Sequence, residues 1–219
     1  MKNIIILVGS ANGSALALIQ AIKKEAACKT YVLCTNKRTA EIIASSKYIN
    51  EVHIISSSDD EATYVGEIKE WYATKSFEEK PILYFTYDTA CYYIDNNRKW
   101  FEEKFELCLP SSEIIKTYTQ KGLAEVSAFE AGLTVPKTQI IDTKEDIDKV
   151  INSFSFPIIL KPRATYLKAN IGFKIKVINT KEEFLLETTN LIHQNNTLLC
   201  QEFIPGGNNT SFYYLFYRG

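Results

Sequence analysis

The chain has 219 residues, 46% hydrophobic and 23% charged, an ordinary globular composition with length for one large domain or two small ones. Its 25 basic and 26 acidic residues nearly cancel, which argues against a broad electrostatic footprint for nucleic acid or an anionic membrane surface. The first apolar run, Ile4 to Val8, is too short for a signal-peptide core or a membrane span, so a cytoplasmic address is expected. The odd set of cysteines (Cys28, Cys34, Cys91, Cys108, Cys200) is scattered through mostly apolar stretches and reads as reduced thiols, with no disulfide and no zinc site.

The first half alternates strand and helix patterns. NIIILV (3–8) is continuously apolar, the mark of a strand covered on both faces, and GSANGS (9–14) turns the chain into the helical ALALIQAIKKEA. The unit recurs as KTYVLC (29–34) before KRTAEIIASS, EVHII (51–55) before DDEATYVGEIKEWYAT, and PILYFT (81–86) before TACYYIDNNRKWFEEK. FELCLP (105–110) supplies a fifth strand. Such a series predicts a parallel sheet with helices on both faces and ligand positions at the carboxyl ends of its strands. The exposed candidates there are GSANGS, Thr35-Asn36 and Thr86 to Asp88.

GSANGS departs from the dinucleotide fingerprint G-x-G-x-x-G. Gly9 and Gly13 are four apart with no middle glycine, and Thr35 and Asn36 end the second strand where an acidic residue would bind ribose. A tight turn with Ser/Asn capping of the following helix is the favoured reading over an NAD-binding enzyme.

After Pro110 the alternation stops, and a boundary is placed between residues 1–112 and 113–219. SSEIIKTYTQKGLAEVSAFEAG reads as helix ending at Gly132, followed by the extended LTVPKTQII. TKEDIDKVINSF opens on Thr143 with Asp146 three residues on, a capping-box start. Then come the strand PIILKP (157–162), a polar loop (163–171), the strand GFKIKVI (172–178), a helix from Thr180 and the strand TLLCQEFI before PGG. Lys161 stands where an apolar run ends, a place where a charge needs water or a partner.

In order and spacing, "K…AGLTVPKT…FPIILKP…GFKIKVI…LCQEFIPGG" resembles the first half of the ATP-grasp superfamily of ligases, which includes carbamoyl-phosphate synthase and other carboxylate-amine ligases. The preceding α/β segment resembles their Rossmann-like pre-ATP-grasp domain, so the likeness spans nearly the whole chain. It implies an α/β protein: a parallel-sheet domain, then an α+β ATP-grasp subdomain within which the chain stops.

The resemblance implies that Lys161 contacts the α and β phosphates and the purine edge of ATP, and that Lys121 is the second phosphate-facing lysine. Read alone, Lys121 is a solvated helix residue. The loop 163–171 matches the lid over the phosphates, with Arg163, Lys168 and Lys174 offering charge where the family has glycine amides. QEFIPGG matches the hinge that receives adenine: Glu202 accepts from the adenine amino group, and Phe203 and Ile204 supply backbone bonds and apolar packing. Asn208 and Asn209 replace the acidic residue that binds ribose, with Asn209 as the candidate ligand. Two Mg²⁺ ions are implied, with ligands beyond Gly219 and none in these residues.

The implied reaction is phosphorylation of a substrate carboxylate by ATP and displacement of phosphate from the acyl phosphate by an amine, less often a thiol, needing no protein nucleophile. Catalytic residues are not assigned. The 219 residues alone are expected not to turn over. Small carboxylates and amines are the expected partners, with neither nucleic acid nor membrane, and a homodimer is left open. The thirteen tyrosines read as packing, and His53 and His193 as structural. A non-catalytic nucleotide-binding module is the main alternative, and an NAD-binding enzyme the other.

Overall fold

The computed structural model describes residues 1–10, 12–56, 60–119, 121–163, 171–192 and 197–206. It divides into two compact units, Met1–Gln120 and Lys121–Gly219.

In the first unit, β1 (Lys2–Val8), β2 (Cys28–Cys34), β3 (Glu51–Ile54), β4 (Ile82–Phe85) and β5 (Glu106–Leu107) form a parallel sheet of order β3-β2-β1-β4-β5. The helices between them are α1 (Asn12–Glu25), α2 (Lys37–Ala44), α3 (Glu61–Ala73), α4 (Asp88–Asn96) and α5 (Arg98–Lys104). The continuous apolar run of β1 has the two-faced burial expected of it. Ile4, Ile6 and Val8 pack with Ala15, Ile19, Ala40 and Ile43 on the α1/α2 side. Ile5 and Leu7 pack with Tyr64, Ile68, Ile94 and Phe101 on the α3–α5 side. A strand with both faces covered has no polar phase in its sequence.

Helix α6 (Ser112–Thr119) belongs to this unit, so the division falls at 120/121 rather than 112/113. The physical reason is a polar anchor. Arg98 donates to Asp95 Oδ1 and to the Pro110 carbonyl, both at 2.6 Å, and Ser112 Oγ donates to the same Asp95 oxygen at 2.8 Å. The stretch read as one helix from 111 to 132 is helical over α6 and over α7 (Lys121–Glu130), with residue 120 outside the described residues. Helix α7 closes as predicted at Gly132: φ is +82°, and the Leu133 N–H reaches back to the Ala128 carbonyl at 3.0 Å.

The second unit holds an antiparallel sheet of order β6-β9-β7-β8, built from β6 (Thr138–Ile141), β7 (Ile158–Pro162), β8 (Lys176–Ile178) and β9 (Leu198–Glu202). Helices α8 (Lys144–Ser153) and α9 (Lys181–Ile192) cover one face, where Ile141, Ile158, Leu160, Ile178, Leu198 and Cys200 pack with Ile147, Val150 and Phe184. The capping box at α8 is present: Thr143 Oγ1 accepts from the Asp146 N–H, and the Asp146 carboxylate accepts from the Thr143 N–H at 3.1 Å. Strand β8 is shorter than the seven-residue run read from the sequence, because Gly172 takes φ +79° and pairing with β7 begins only at Lys176. Among the described residues no helix is long and apolar enough to cross a membrane.

Candidate functional site

The site is built on the sheet face away from α8 and α9. Strand pairing sets Ile158 opposite Glu202, Leu160 opposite Cys200, and Lys161 opposite Leu199. Side chains alternate along each strand, so Ile158, Leu160 and Cys200 enter the core while Ile159, Lys161, Leu199 and Gln201 share the other face. Helix α7 lies against that face. Gly122 is buried there, and a Cβ at this position would stand 2.9 Å from Ile140 Cδ1 and 3.4 Å from Leu199 Cδ1. The missing side chain is what lets the helix backbone approach the sheet.

On this face Lys161 has partners rather than open water. Its Nζ donates to Gln201 Oε1 at 2.9 Å and lies 3.5 Å from Glu125 Oε1 on α7. The Lys161 and Glu125 side chains are only 14% and 19% exposed, and Gln201 is 9% exposed. Gln201 Nε2 in turn donates to Thr138 Oγ1 at 3.1 Å and to Glu125 Oε1 at 3.3 Å, and Thr138 Oγ1 donates to the Pro136 carbonyl at 2.8 Å. Glu125 Oε2 is buried and has no hydrogen-bond partner among the described residues. Beside this network, α7 and β6 border a cleft of about 580 Å³ lined by Gly122, Glu125, Val126, Phe129, Thr138 and Ile140. That volume is in the range of small-molecule sites, and its mixture of apolar walls with few polar groups is typical of them.

The other sequence-predicted residues are placed as follows. Lys121 heads α7; its side chain is outside the described residues. Lys174 precedes β8 and is exposed. Asn209, Asn208 and Lys168 lie outside the described residues, as does most of the loop 163–171. Arg163 lies 3.4 Å from Asp142 Oδ2.

Glu202 ends β9 on the core side, opposite in pleat to Lys161. Its N–H donates to the Lys137 carbonyl at 2.8 Å, and its carboxylate accepts from the Lys137 N–H at 3.2 Å. With half-buried Phe203, Pro205, Lys137, Phe154 and Phe156 it borders a second recess of about 470 Å³. Ile204 is exposed. The structure therefore brings Lys161 next to the start of the QEFIPGG stretch through Gln201, while the Glu202 carboxylate faces away from the ammonium. Sequence reasoning missed Gln201, Glu125 and Thr138. Gln201 was legible from strand alternation and pairing; Glu125 looked like any charge on a helix surface.

In the first unit the Tyr87 ring lies against Gly9 at the carboxyl end of the sheet. A Cβ on Gly9 would lie 3.3 Å from the Tyr87 ring, and the phenol of Tyr87 is hydrogen-bonded to that of Tyr64. Burial pushes the Tyr87 phenol up to about 12. Thr39 Oγ1 donates to the Ser10 carbonyl at 3.2 Å, and Asn36 caps α2 by accepting from the Thr39 N–H at 2.9 Å. Gly9 makes room for an aromatic ring, which supports the turn reading of GSANGS over a pyrophosphate cradle.

A parallel sheet of order 3-2-1-4-5 followed by a four-stranded antiparallel sheet is a fold shared with solved structures of ATP-grasp ligases. Solved structures similar to the chain include an ADP complex of N5-carboxyaminoimidazole ribonucleotide synthetase, with 18% identity and a TM-score of 0.62 over 93% of this chain and 47% of that one. The biotin carboxylase domain of Hydrogenobacter thermophilus 2-oxoglutarate carboxylase, a dimer in complex with MgADP, ADP and bicarbonate, matches with 17% identity and a TM-score of 0.62 over 91% and 44%. An L-amino acid ligase from Bacillus licheniformis matches with 12% identity and a TM-score of 0.62 over 93% and 47%. At these identities the likeness is one of fold, and the chain spans about half the length of these structures. No family model matches the chain, and no curated protein matches it.

Proposed function

We propose that the chain is the nucleotide-binding part of an ATP-dependent carboxylate-amine ligase of the ATP-grasp kind. The observation that carries this reading is Lys161: a cation at the end of an apolar strand, held by Gln201 at 2.9 Å immediately before the Glu202–Pro205 stretch. An ammonium on a fixed strand presents three donors to a polyphosphate, and the low exposure of the site strengthens each of those bonds. Backbone groups of Phe203 and Ile204, which follow the anchored Glu202, are the candidate partners for the purine. Lys121 and Lys174 are the further phosphate ligands proposed, and Asn209 the ribose ligand.

In the reaction proposed, ATP phosphorylates a small carboxylate and an amine displaces phosphate, with a thiol as the less usual acceptor. These residues bind and orient the nucleotide and neutralise charge on its phosphates; none is assigned to bond-making. Magnesium is not placed. Among the described residues no three His, Cys, Asp or Glu side chains are grouped to hold a metal, so no step is routed through it.

The test is titration calorimetry of the full chain with ADP. The expected result is binding that weakens at least about tenfold in Lys161→Met, as loss of a charge-assisted phosphate contact requires. ADP affinity unchanged by that substitution removes Lys161 from the site, and binding of NADH in preference to ADP overturns the reading altogether.

A further inference from the structure

We propose that Glu125 is the internal counter-ion of Lys161, taking in the nucleotide-free protein the electrostatic place that a nucleotide's phosphates take on binding, and so setting a threshold that a ligand must overcome. The proposal rests on the reading of Lys161 as the phosphate-facing lysine and adds a residue that opposes binding.

The network divides two tasks that one ion pair usually performs together. Gln201 sets the direction of the ammonium, because the shortest bond of Lys161, 2.9 Å, goes to this neutral amide. The amide cannot turn round without loss. Its Nε2 is used on Thr138 Oγ1 and Glu125 Oε1, which leaves Oε1 for the lysine. Glu125 supplies the compensating charge from farther off, at 3.5 Å through Oε1, while Oε2 is buried with no partner among the described residues. A carboxylate with one oxygen idle is an incompletely satisfied partner in a site where few water molecules reach.

A diphosphate or triphosphate brings more negative charge and more acceptor oxygens than this one carboxylate, so it can take over the ammonium while Gln201 keeps the side chain aimed. It must do so against the like charge of Glu125, which stays on α7 within a few ångströms. Glu125 Oε1 stands 3.5 Å from the ammonium, so its repulsion acts on any phosphate that approaches Lys161. Glu125 thus lowers the affinity for polyphosphates.

Titration calorimetry with ADP at one fixed ionic strength tests this on the full chain, comparing wild type with Glu125→Gln, Glu125→Ala, Glu187→Gln and Lys161→Met. Both Glu125 variants are expected to bind ADP about fivefold tighter, the effect of removing one like charge beside the ammonium in a partly solvated site. Glu187→Gln takes a carboxylate from the Lys176 pair elsewhere in the same unit and is expected to leave ADP binding unchanged. Equal or weaker binding by folded Glu125 variants overturns the proposal, and so does an equal gain in Glu187→Gln, since net charge would then explain it. Wild-type affinity in Lys161→Met removes Lys161 from the site, and the counter-ion proposal falls with it. Weakened binding there with no gain in the Glu125 variants removes only the counter-ion. Failure of every protein to bind ADP overturns both. Thermal melting followed by circular dichroism establishes that each variant is folded, and Glu125→Ala serves if Glu125→Gln does not fold.

Discussion

Replacing Lys161 by methionine keeps the aliphatic stem of the side chain and removes its charge, which isolates what the ammonium does for stability. The loss has two parts. A hydrogen bond from a charged donor, such as that to Gln201 Oε1, contributes about 1.5–3 kcal/mol. The second part is Glu125, left with no cation. Stripping one partner from a fully buried pair costs about 3–5 kcal/mol, and the residual exposure of both side chains lets water return part of that. With about 1–2 kcal/mol left for the orphaned carboxylate, the sum expected is a loss of about 2.5–5 kcal/mol from the second unit. Removing the orphaned charge as well, in Lys161→Met with Glu125→Gln, should recover about 1–2 kcal/mol, the coupling energy of groups in one network. Tryptophan fluorescence cannot read this, because Trp71 and Trp100 both belong to the first unit. Amide hydrogen exchange in the peptide Leu198–Glu202 can, and Lys161→Met should speed it by about seventyfold or more, with the double variant between. A loss under about 0.5 kcal/mol, or a double variant no more protected than the single one, would refute the reasoning.

Two further outcomes follow from particular contacts. The Lys149 ammonium, with help from Thr143, holds the Asp146 carboxyl down at about 2, below its ordinary 3.8. A carboxyl depressed in the folded state stabilises above about pH 4 and loses that contribution as pH falls toward 2, so Asp146→Asn should cost about 1 kcal/mol at pH 6 and nothing near pH 2. The cap sets that size, since Lys149 is largely exposed and its ion pair adds little. Urea titration followed by circular dichroism at both pH values checks it, and an equal loss at both contradicts the assignment. Gly122→Val should cost about 2–3 kcal/mol by forcing methyl groups into Ile140 and Leu199, with partial rescue by Ile140→Ala. Thermal melting of the single and double variants decides, and a valine that melts like wild type would show that α7 can move off the sheet.

The parallel sheet was legible because strands covered on both faces leave unbroken apolar runs such as Ile4 to Val8, and the run recurs in alternation with helical patterns. The α8 cap was legible because its signal is local: two side chains three residues apart satisfy each other's backbone. The place of α6 in the first unit was not, since the helical pattern runs on into α7 while α6 is tied to that unit by Arg98 and Asp95, remote in sequence from the helix they secure. Lys161 stood out as a charge closing an apolar run. Its partners did not, because Glu125 meets it across 36 residues and Gln201 across 40, and only strand pairing reveals that they share a face. The opposite orientation of Glu202 follows from the same alternation that turns Gln201 toward the lysine.

The stacking of Tyr87 over Gly9 has a consequence for how labour is shared along the chain. In open parallel sheets the gap where the winding direction reverses, here between β1 and β4, is where small molecules usually lodge. A phenol ring furnished by the protein itself already upholsters that gap, so the sheet serves as a scaffold at the very spot where its cousins do chemistry. The nucleotide site proposed above lies in the antiparallel half instead, and a chain that exchanged the tyrosine for a small residue would clear the space over Gly9 without touching the lysine.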